Sequence, residues 1–477
     1  MNHFVSKSSD KYHTAIKFGI CVLVALLILL LRSFTQVSFQ AWSIFAVFIV
    51  VILSFILRPY PMGMMVMIGL IVLVATKTIT IHESLAGFAD STVWLVVSAF
   101  LLAAAMIDTG LGKRIALWLV SKLGKTIKGL AYAICSSEIL LATVMPSNTA
   151  RGGGVHAPIV NSLSHSLGSR KEDKPKRAGQ YLSLVGAHAN LIAAAMFMTG
   201  MAANPLVSKA VNDVFGIEFG WGTWALGSIV PGLVSMFILP QLIYLLAPPT
   251  LTKSEAAQEE ASKQLVEMGP MTNREKIMFA VLCLLLLLWT TKFIHGMGTT
   301  TVALLGVMIL LVTRAQTWED VIQNKLAWDT LVWLGGLLTM ANLLLKYGFI
   351  QWFVDGVQVA VGGMGGMAAI LILGIVFFYS MYAFSMLTAH IAAMAGPFLA
   401  VCLAANGQPL VAAAVFAYFS CLCGCMTNYS SGPIIIYFGL GYVKAPKWFS
   451  IGFIVSIFHL IIWIGIGLAW WKVLGWW

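Results

Sequence analysis

Helix-length apolar runs, divided by short polar or turn signals, make up most of this chain. Runs at about 15–34, 39–57 and 61–79 are separated by residues such as Arg58, Pro59 and Pro61, and each is long enough to predict a spanning helix. Asp90, Ser91, Thr92, Val93, Trp94 and Leu95 lead a further helical run to Gly110. A basic loop with Lys113, Arg114, Lys122, Lys125 and Lys128 follows, and a second basic loop carries Arg170, Lys171, Lys174, Lys176 and Arg177. The apolar stretch between these loops is interrupted in its middle by Ser147 to Gly154, and each arm is only marginally long enough to cross. Basic residues on both flanks place both ends on the cytoplasmic face. The pattern therefore predicts a re-entrant hairpin with Ser147 to Gly154 at its tip, lining a cavity, because irregular backbone at membrane depth must be covered by protein or water.

Tyr181 to Met201 is apolar with His188 and Asn190 embedded, and Ala202, Ala203, Asn204 and Pro205 would interrupt it, predicting a discontinuous helix. Trp224 to Leu246 spans next, and the mixed charges of Thr250 to Glu275 predict an interfacial connector. Spans at about 277–295 and 298–313 lead to a short amphipathic piece, Trp318 to Leu326. Then Asp329, Thr330, Leu331, Val332, Trp333 and Leu334 echo the run from Asp90, and Thr388, Ala389 and His390 echo Thr149, Ala150 and Arg151, both at a separation of 239 residues. Two matches at one offset predict an internal duplication. The expected organisation is an N-terminal span at 1–35, a first repeat at 36–247, a connector at 248–274 and a second repeat at 275–477.

The second half continues through Leu337 to Leu345, Gly348, a glycine-rich turn at Gly362 to Gly366, and an apolar run interrupted at Ser385 to His390 that resumes to Ala405. No charged residue lies between Gly356 and Val443, so nothing draws this second hairpin to the cytoplasm and it is expected to enter from outside. A second discontinuous helix, Leu410 to Met426, breaks at Thr427 to Pro433, and the last span is about 448–471. The predicted fold is an all-α polytopic membrane protein of about 11 transmembrane helices, with two inverted repeats, each holding a re-entrant hairpin and a discontinuous helix. The excess of Lys and Arg on one side predicts a multi-pass protein of the cell membrane, inner or plasma, with a cytoplasmic N-terminus.

Composition agrees with this pattern. Hydrophobic residues make up 60% and charged residues 10%, with mean hydropathy +0.90, whereas a soluble domain carries about 25% charged residues. The net charge of +11 sits in short loops, which accounts for it without nucleic acid. Lys7, Lys11 and Lys17 before an apolar run resemble a signal peptide, but no small-residue cleavage site follows before Trp42, so the first span is expected to be retained. Of the seven cysteines only Cys421, Cys423 and Cys425 cluster, and their spacing puts Cys423 on the opposite helix face from the other two. That suits packing rather than a metal, and no metal or cofactor is expected. No His-Glu-x-x-His, Gly-x-Gly-Asp or Gly-x-Ser-x-Gly motif supports an intramembrane enzyme, and two opposed hairpins would occlude a channel.

The chemistry lies in the breaks. Broken helices point N-terminal dipole ends and free amides into a cavity, which suits an anion. Ser147, Asn148, Thr149, Thr388, Thr427 and Asn428 add uncharged donors, and two opposed tips would hold two carboxylates, predicting a dicarboxylate. An arginine at mid-membrane costs about 3 kcal/mol, which marks Arg151 as a functional candidate. The alternative is a structural counter-ion, to Glu138 or to a helix C-terminus. His390 reads as its charge-compensating mate, the alternative being a neutral core histidine, while His188, His156 and Tyr429 are more evenly balanced.

At these residues the chain resembles the divalent anion/sodium symporter family, also called the INDY family. The run Ser147, Asn148, Thr149, Ala150, Arg151, Gly152, Gly153 is similar to the branch of plant plastid 2-oxoglutarate/malate translocators and bacterial citrate/succinate and tartrate/succinate antiporters. Ala189 to Ile192, Met201 to Leu206 and Tyr437 to Tyr442 resemble the same branch. The resemblance covers essentially the whole chain and implies a homodimer in the lipid bilayer, with a scaffold and a moving transport domain that works as an elevator. It implies substrate contacts from Ser147 to Thr149, Gly200 to Ala202, Met386, Leu387 and Thr388, and Thr427, Asn428 and Tyr429. Sodium symporters of the family carry a second Ser-Asn-Thr, which here reads Met386, Leu387, Thr388 and lacks the oxygen ligands a hard cation needs. The expectation is exchange of dicarboxylates such as 2-oxoglutarate, malate and succinate without sodium. Arg151, His390 and His188 would supply charge compensation, and buried, unpaired positive charge would hold back the empty carrier. A sodium-coupled di- or tricarboxylate symporter is the nearest alternative.

Overall fold

The computed structural model describes residues 2–31, 35, 37–361, 363 and 365–477; Gly362 of the expected glycine-rich turn and residues 32–34 of the expected first run lie outside them. Among the described residues every regular element is helical, and nine helices combine the length and apolarity needed to cross a membrane. This count includes both arms of the second hairpin, while Met62–Ala75 and Thr299–Val312 are apolar but shorter. The chain is a multi-pass membrane protein.

The first half runs through Asn2–Leu31, Phe39–Leu57, Met62–Ala75 and Ser91–Thr109 to an amphipathic helix, Leu111–Leu123. The first hairpin has arms Ile127–Ala142 and Ala157–Ser166, the first broken helix consists of Gly179–Met196 and Asn204–Phe215, and Trp221–Leu246 closes the half. After the connector Glu255–Glu267 come Asn273–Thr290, Thr299–Val312 and Lys325–Lys346. From there the same order recurs: an amphipathic helix Phe349–Val361, a second hairpin with arms Gly366–Ser380 and Leu387–Ala404, a second broken helix of Pro409–Leu422 and Gly432–Gly439, and a final helix Ala445–Val473 with a π-helical turn at Ile461–Ile466.

Burial ranks these elements. Every residue of Gly179–Met196 is buried and 89% of the best window in Pro409–Met426 is, against 6% for Thr14–Leu31. The broken helices form the centre, and the first helix packs on the outside against Phe39–Leu57. The two halves touch at Gly87, whose amide donates to Thr339 Oγ1 at 3.0 Å; a Cβ there would stand 2.6 Å from the Thr339 nitrogen, so only glycine allows the approach.

The first amphipathic helix differs from the sequence expectation. The basic loop after Gly110 is helical because Leu111, Ala116, Leu117, Leu119 and Val120 form a buried stripe between the lysines. Lys113, Arg114 and Lys122 lie on this helix, Lys125 in the turn after it and Lys128 at the start of the next helix. The repeated Asp motif also plays two roles. Asp90 caps Ser91–Thr109 by accepting the Thr92 amide at 2.8 Å, whereas Asp329 lies inside a helix already capped by Asn324.

The connector packs on Leu111–Leu123, where Ser254 Oγ donates to Gly124 O at 2.6 Å and Gln258 Nε2 to Ser121 O at 2.6 Å. Arg114 Nε bonds Glu275 Oε1 at 2.6 Å and its Nη1 reaches Gly269 O at 2.9 Å, tying the amphipathic helix to the start of the second half. Elsewhere the Lys346 ammonium and the Thr80 amide beside Glu83 hold that carboxyl down to about 2. Because the Glu275 carboxylate is nearly buried at 2% exposure, Glu275→Ala leaves Arg114 without its anion. The expected loss is about 1–3 kcal/mol, read as a lower thermal unfolding midpoint in detergent; an unchanged midpoint would remove the pair from the account.

Candidate functional site

The first tip is irregular only over residues 143–147, after which the helix restarts. Pro146, which has no amide hydrogen, sits in this break. Ser147 caps the restart, with Oγ accepting the Ala150 amide at 3.1 Å and its carbonyl accepting the Arg151 amide at 2.9 Å. Ala150–His156 is a π-helix, so the glycine run expected to form the break is helical instead. Its glycines serve close approach. A Cβ on Gly152 would lie 2.7 Å from Asn190 Nδ2 and 2.9 Å from Pro433 Cβ.

Arg151 is fully buried, and it is paired. Its Nε lies 2.6 Å from Glu138 Oε2, Nη1 donates to Met145 O at 2.7 Å and Gly200 O at 2.9 Å, and Nη2 to Asn190 O at 3.3 Å. Asn190 Nδ2 in turn donates to both Glu138 oxygens, at 3.2 and 3.1 Å, and to Asn148 O at 3.1 Å. This corrects the expectation of an unpaired cation. Glu138, far from the tip along the chain, is brought back to it by the fold of the hairpin, and the guanidinium serves as the structural counter-ion.

The first break, Phe197 to Ala203, is fastened to this hub. Gly200 gives its carbonyl to Arg151, and Thr199 Oγ1 donates to Thr143 O at 2.7 Å. Asn204 Nδ2 satisfies the carbonyls of Ala194 and Phe197 at 2.8 and 3.0 Å, closing the end of the half-helix. Ala202 stays half-buried at the edge.

At the second hairpin the helix ends at Ser380 and restarts at Leu387, so Thr388 to His390 form the first turn of the returning arm and not the break. Leu387 donates its amide to Ser430 O at 3.0 Å, and Tyr429 Oη donates to Tyr382 O at 3.1 Å, joining this tip to the second break. Thr427 O accepts Trp448 Nε1 at 3.2 Å, and Asn428 and Met386 are half-buried. The first tip reaches the same break, with Thr149 packed against Gly432. Thus the two tips meet across the second break. His390 has no acidic partner here: its Nε2 is 2.8 Å from Ser380 Oγ, and its ring lies 4.2 Å from Phe377 and 5.0 Å from Phe384. His188 stacks on Trp448 at 6.4 Å, the ring that donates to Thr427 O, with neither of its own ring nitrogens bonded.

Four buried donor atoms in these stretches find no protein partner: Asn148 Nδ2, Ser385 Oγ, Thr427 Oγ1 and Ser431 Oγ. One is at the first tip, one at the second, and two are in the second break. Each unmatched buried polar atom costs about 1–3 kcal/mol, so the set leaves hydrogen-bonding capacity that the protein itself does not satisfy. Ser385 and Ser431 fall inside the breaks expected from the sequence but were not named among the donors; their only signal is a hydroxyl inside an irregular stretch. Among the described residues no three His, Cys, Asp or Glu side chains group as a metal site.

The hub makes a prediction. Arg151→Leu and Glu138→Leu should each destabilise by about 3–5 kcal/mol, because each strands a buried charge, and the double variant should recover much of that loss. Thermal unfolding of the four proteins in detergent measures the coupling; strictly additive losses would contradict it.

The comparisons follow the geometry. Residues 13–477 match the family described as the sodium:sulfate symporter transmembrane region. The chain is 43% identical over 459 residues to the putative malate transporter YflS of Bacillus subtilis (strain 168), covering 96% of each chain. It is 39% identical over 459 residues to the chloroplastic dicarboxylate transporter 1 of Spinacia oleracea, covering 96% of this chain and 81% of that one. With the inner membrane protein YbhI of Escherichia coli (strain K12) the identity is 36% over 451 residues, covering 91% and 93%. Two solved structures share the fold: Neisseria gonorrhoeae MtrF, described among antimetabolite efflux pumps, at TM-score 0.56, 15% identity and 84% of each chain, and the YdaH transporter of Alcanivorax borkumensis at TM-score 0.57, 13% identity and 83% and 89%. With one family spanning nearly the whole sequence and relatives above 30% identity along its length, this chain belongs to the sodium:sulfate symporter transmembrane family.

Proposed function

We propose that the chain is a secondary transporter of C4–C5 dicarboxylates, with 2-oxoglutarate, malate and succinate as the substrate class, that works by exchange without sodium. The observation that carries this is the set of four buried, unpartnered donors at the two tips and the second break. Uncharged donors on helix starts hold a carboxylate firmly enough to capture it and weakly enough to release it. Two such clusters in one site fit a molecule with a carboxylate at each end, and relatives named malate and dicarboxylate transporters support the reading. Ser147, Asn148, Thr149, Gly200, Ala202, Met386, Leu387, Thr388, Thr427, Asn428 and Tyr429 line or frame it.

The sodium-free reading has its own support. A hard cation needs several oxygen ligands. Beside the first tip the carbonyls of Met145, Gly200 and Asn190 already accept from Arg151. Beside the second, His390 lies between two phenyl rings with Cys423 Sγ at 4.0 Å, and the nearby Ser380 hydroxyl is taken up by its Nε2 at 2.8 Å. Two inverted repeats, an elevator motion of hairpins and broken helices against a scaffold, a homodimer and an inner-membrane location with the N-terminus in the cytoplasm complete the proposal. Sodium-coupled symport is favoured only by the family's description.

The test is uptake of labelled malate into proteoliposomes. Uptake should require a dicarboxylate inside and be unchanged when sodium is replaced; equal uptake into empty vesicles under an inward sodium gradient would favour symport. Asn148→Ala and Thr427→Ala should each cut uptake at least tenfold while the proteins stay folded, and retained transport would remove these donors from the site.

A further inference from the structure

The buried hub holds one more ionisable group, and the transport reading does not use it. His156 is 1% exposed at the end of the π-helix. Its Nδ1 faces two acceptors, Glu138 Oε1 at 3.1 Å and Arg151 O at 3.1 Å, so this nitrogen carries hydrogen. Its Nε2 lies 2.7 Å from Ser137 Oγ, and that hydroxyl has a second partner, Ile134 O, at 2.9 Å. Both protonation states are therefore satisfied. In the neutral ring, Ser137 turns its hydrogen to Nε2; in the imidazolium, Nε2–H donates to Ser137 Oγ and the hydroxyl donates to Ile134 O. Rotation of one hydroxyl is the only rearrangement needed, and the net charge of Glu138, Arg151 and His156 changes from zero to +1.

A row of polar atoms without protein partners connects this cluster with the far end of the first broken helix. Asn190 Oδ1, Tyr437 Oη and Ser183 Oγ are all buried and unbonded. Asn190 belongs to the hub. Tyr437 Oη stands against Gly186, where a Cβ would come within 2.5 Å, and Tyr437 lies within electrostatic reach of Glu138 and Arg151. Ser183, Gly186 and Asn190 are three and four residues apart and share one helix face. Seven residues of helix make this row about 10 Å long, directed toward Gly179, where the helix begins after the basic loop. Buried polar atoms in such a row are the setting for internal water. Among the described residues the other titratable groups within electrostatic reach of the hub are the thiols of Cys135, beside Glu138, and Cys421, beside Arg151; Ile107 and Gly112 pack against Gly154 and Val155, and Arg114 is held by Glu275.

We propose that His156 is a proton-binding site coupled to substrate, filled from the cytoplasmic side through water along Ser183, Tyr437 and Asn190. This rests on the dicarboxylate reading. The link to the site is short, since Asn190 holds both Glu138 and the carbonyl of Asn148 at the tip. A dianion there stabilises the +1 form of the hub, so substrate and proton bind together. Exchange of one dianion for another then carries a proton each way.

The experiment adds malate, and in parallel succinate and 2-oxoglutarate, to the purified full-length protein in weakly buffered detergent solution containing a pH-sensitive dye, with binding followed by calorimetry. Expected is proton uptake approaching one per dianion bound. His156→Gln should bind malate with the uptake lost, and Tyr437→Phe should slow the uptake without changing its final amount. Binding by wild-type protein with no proton uptake overturns this inference alone. No binding of any of the three dianions overturns the dicarboxylate reading and this inference with it.

Discussion

A buried ion pair between Arg151 and Glu138 is the constraint from which the site follows. A lone guanidinium at membrane depth is too costly to keep, and a carboxylate alone would be worse. Together, with Asn190 bridging them, they are satisfied only in one arrangement: first arm of the hairpin, its tip, and the first half of the broken helix held at hydrogen-bond distance. The pair thus fixes where the Asn148 side chain stands. Tip and break become one rigid piece, so the unpartnered donors are preorganised before any ligand arrives.

The second hairpin reaches a similar shape by different chemistry. No ion pair holds it; backbone and tyrosine bonds to the second break do, with His390 satisfied by Ser380 within aromatic walls. The echo of Thr149, Ala150, Arg151 in Thr388, Ala389, His390 therefore preserves position along the chain without preserving charge. A cation two residues beyond each tip would have made a symmetric clamp. What the fold holds instead, among the described residues, is one ion-paired tip and one tip whose histidine is held by a serine hydroxyl, both resting on the second broken helix.

Much of this architecture was legible in the residues. Apolar runs, basic loops and the polar breaks marked both hairpins and both broken helices, because the membrane forbids unsatisfied backbone and so confines irregular stretches to functional places. The first amphipathic helix was missed because its basic residues read as loop signals when counted by charge rather than by the spacing of Leu111, Leu117 and Val120. The glycines after Arg151 read as a break, but they are helical and small for a tertiary reason, the approach of Asn190 and Pro433, which local sequence does not contain. The partner of Arg151 was named only as an alternative, since pairing with Glu138 depends on the hairpin folding back. Ser385 and Ser431 were placed in the breaks but not among the donors, because a serine in a loop is ordinary until its neighbours are seen to leave it without a partner.

The central claim is that two tips and one break form a single two-carboxylate site. Its most direct test is a structure of the protein determined with succinate present. The account predicts density for the dianion between the hairpin tips, with carboxylate oxygens at hydrogen-bond distance from Asn148 Nδ2 and from Thr427 Oγ1 or Ser431 Oγ. Succinate bound elsewhere, with these donors bonded to protein or to water alone, would contradict it.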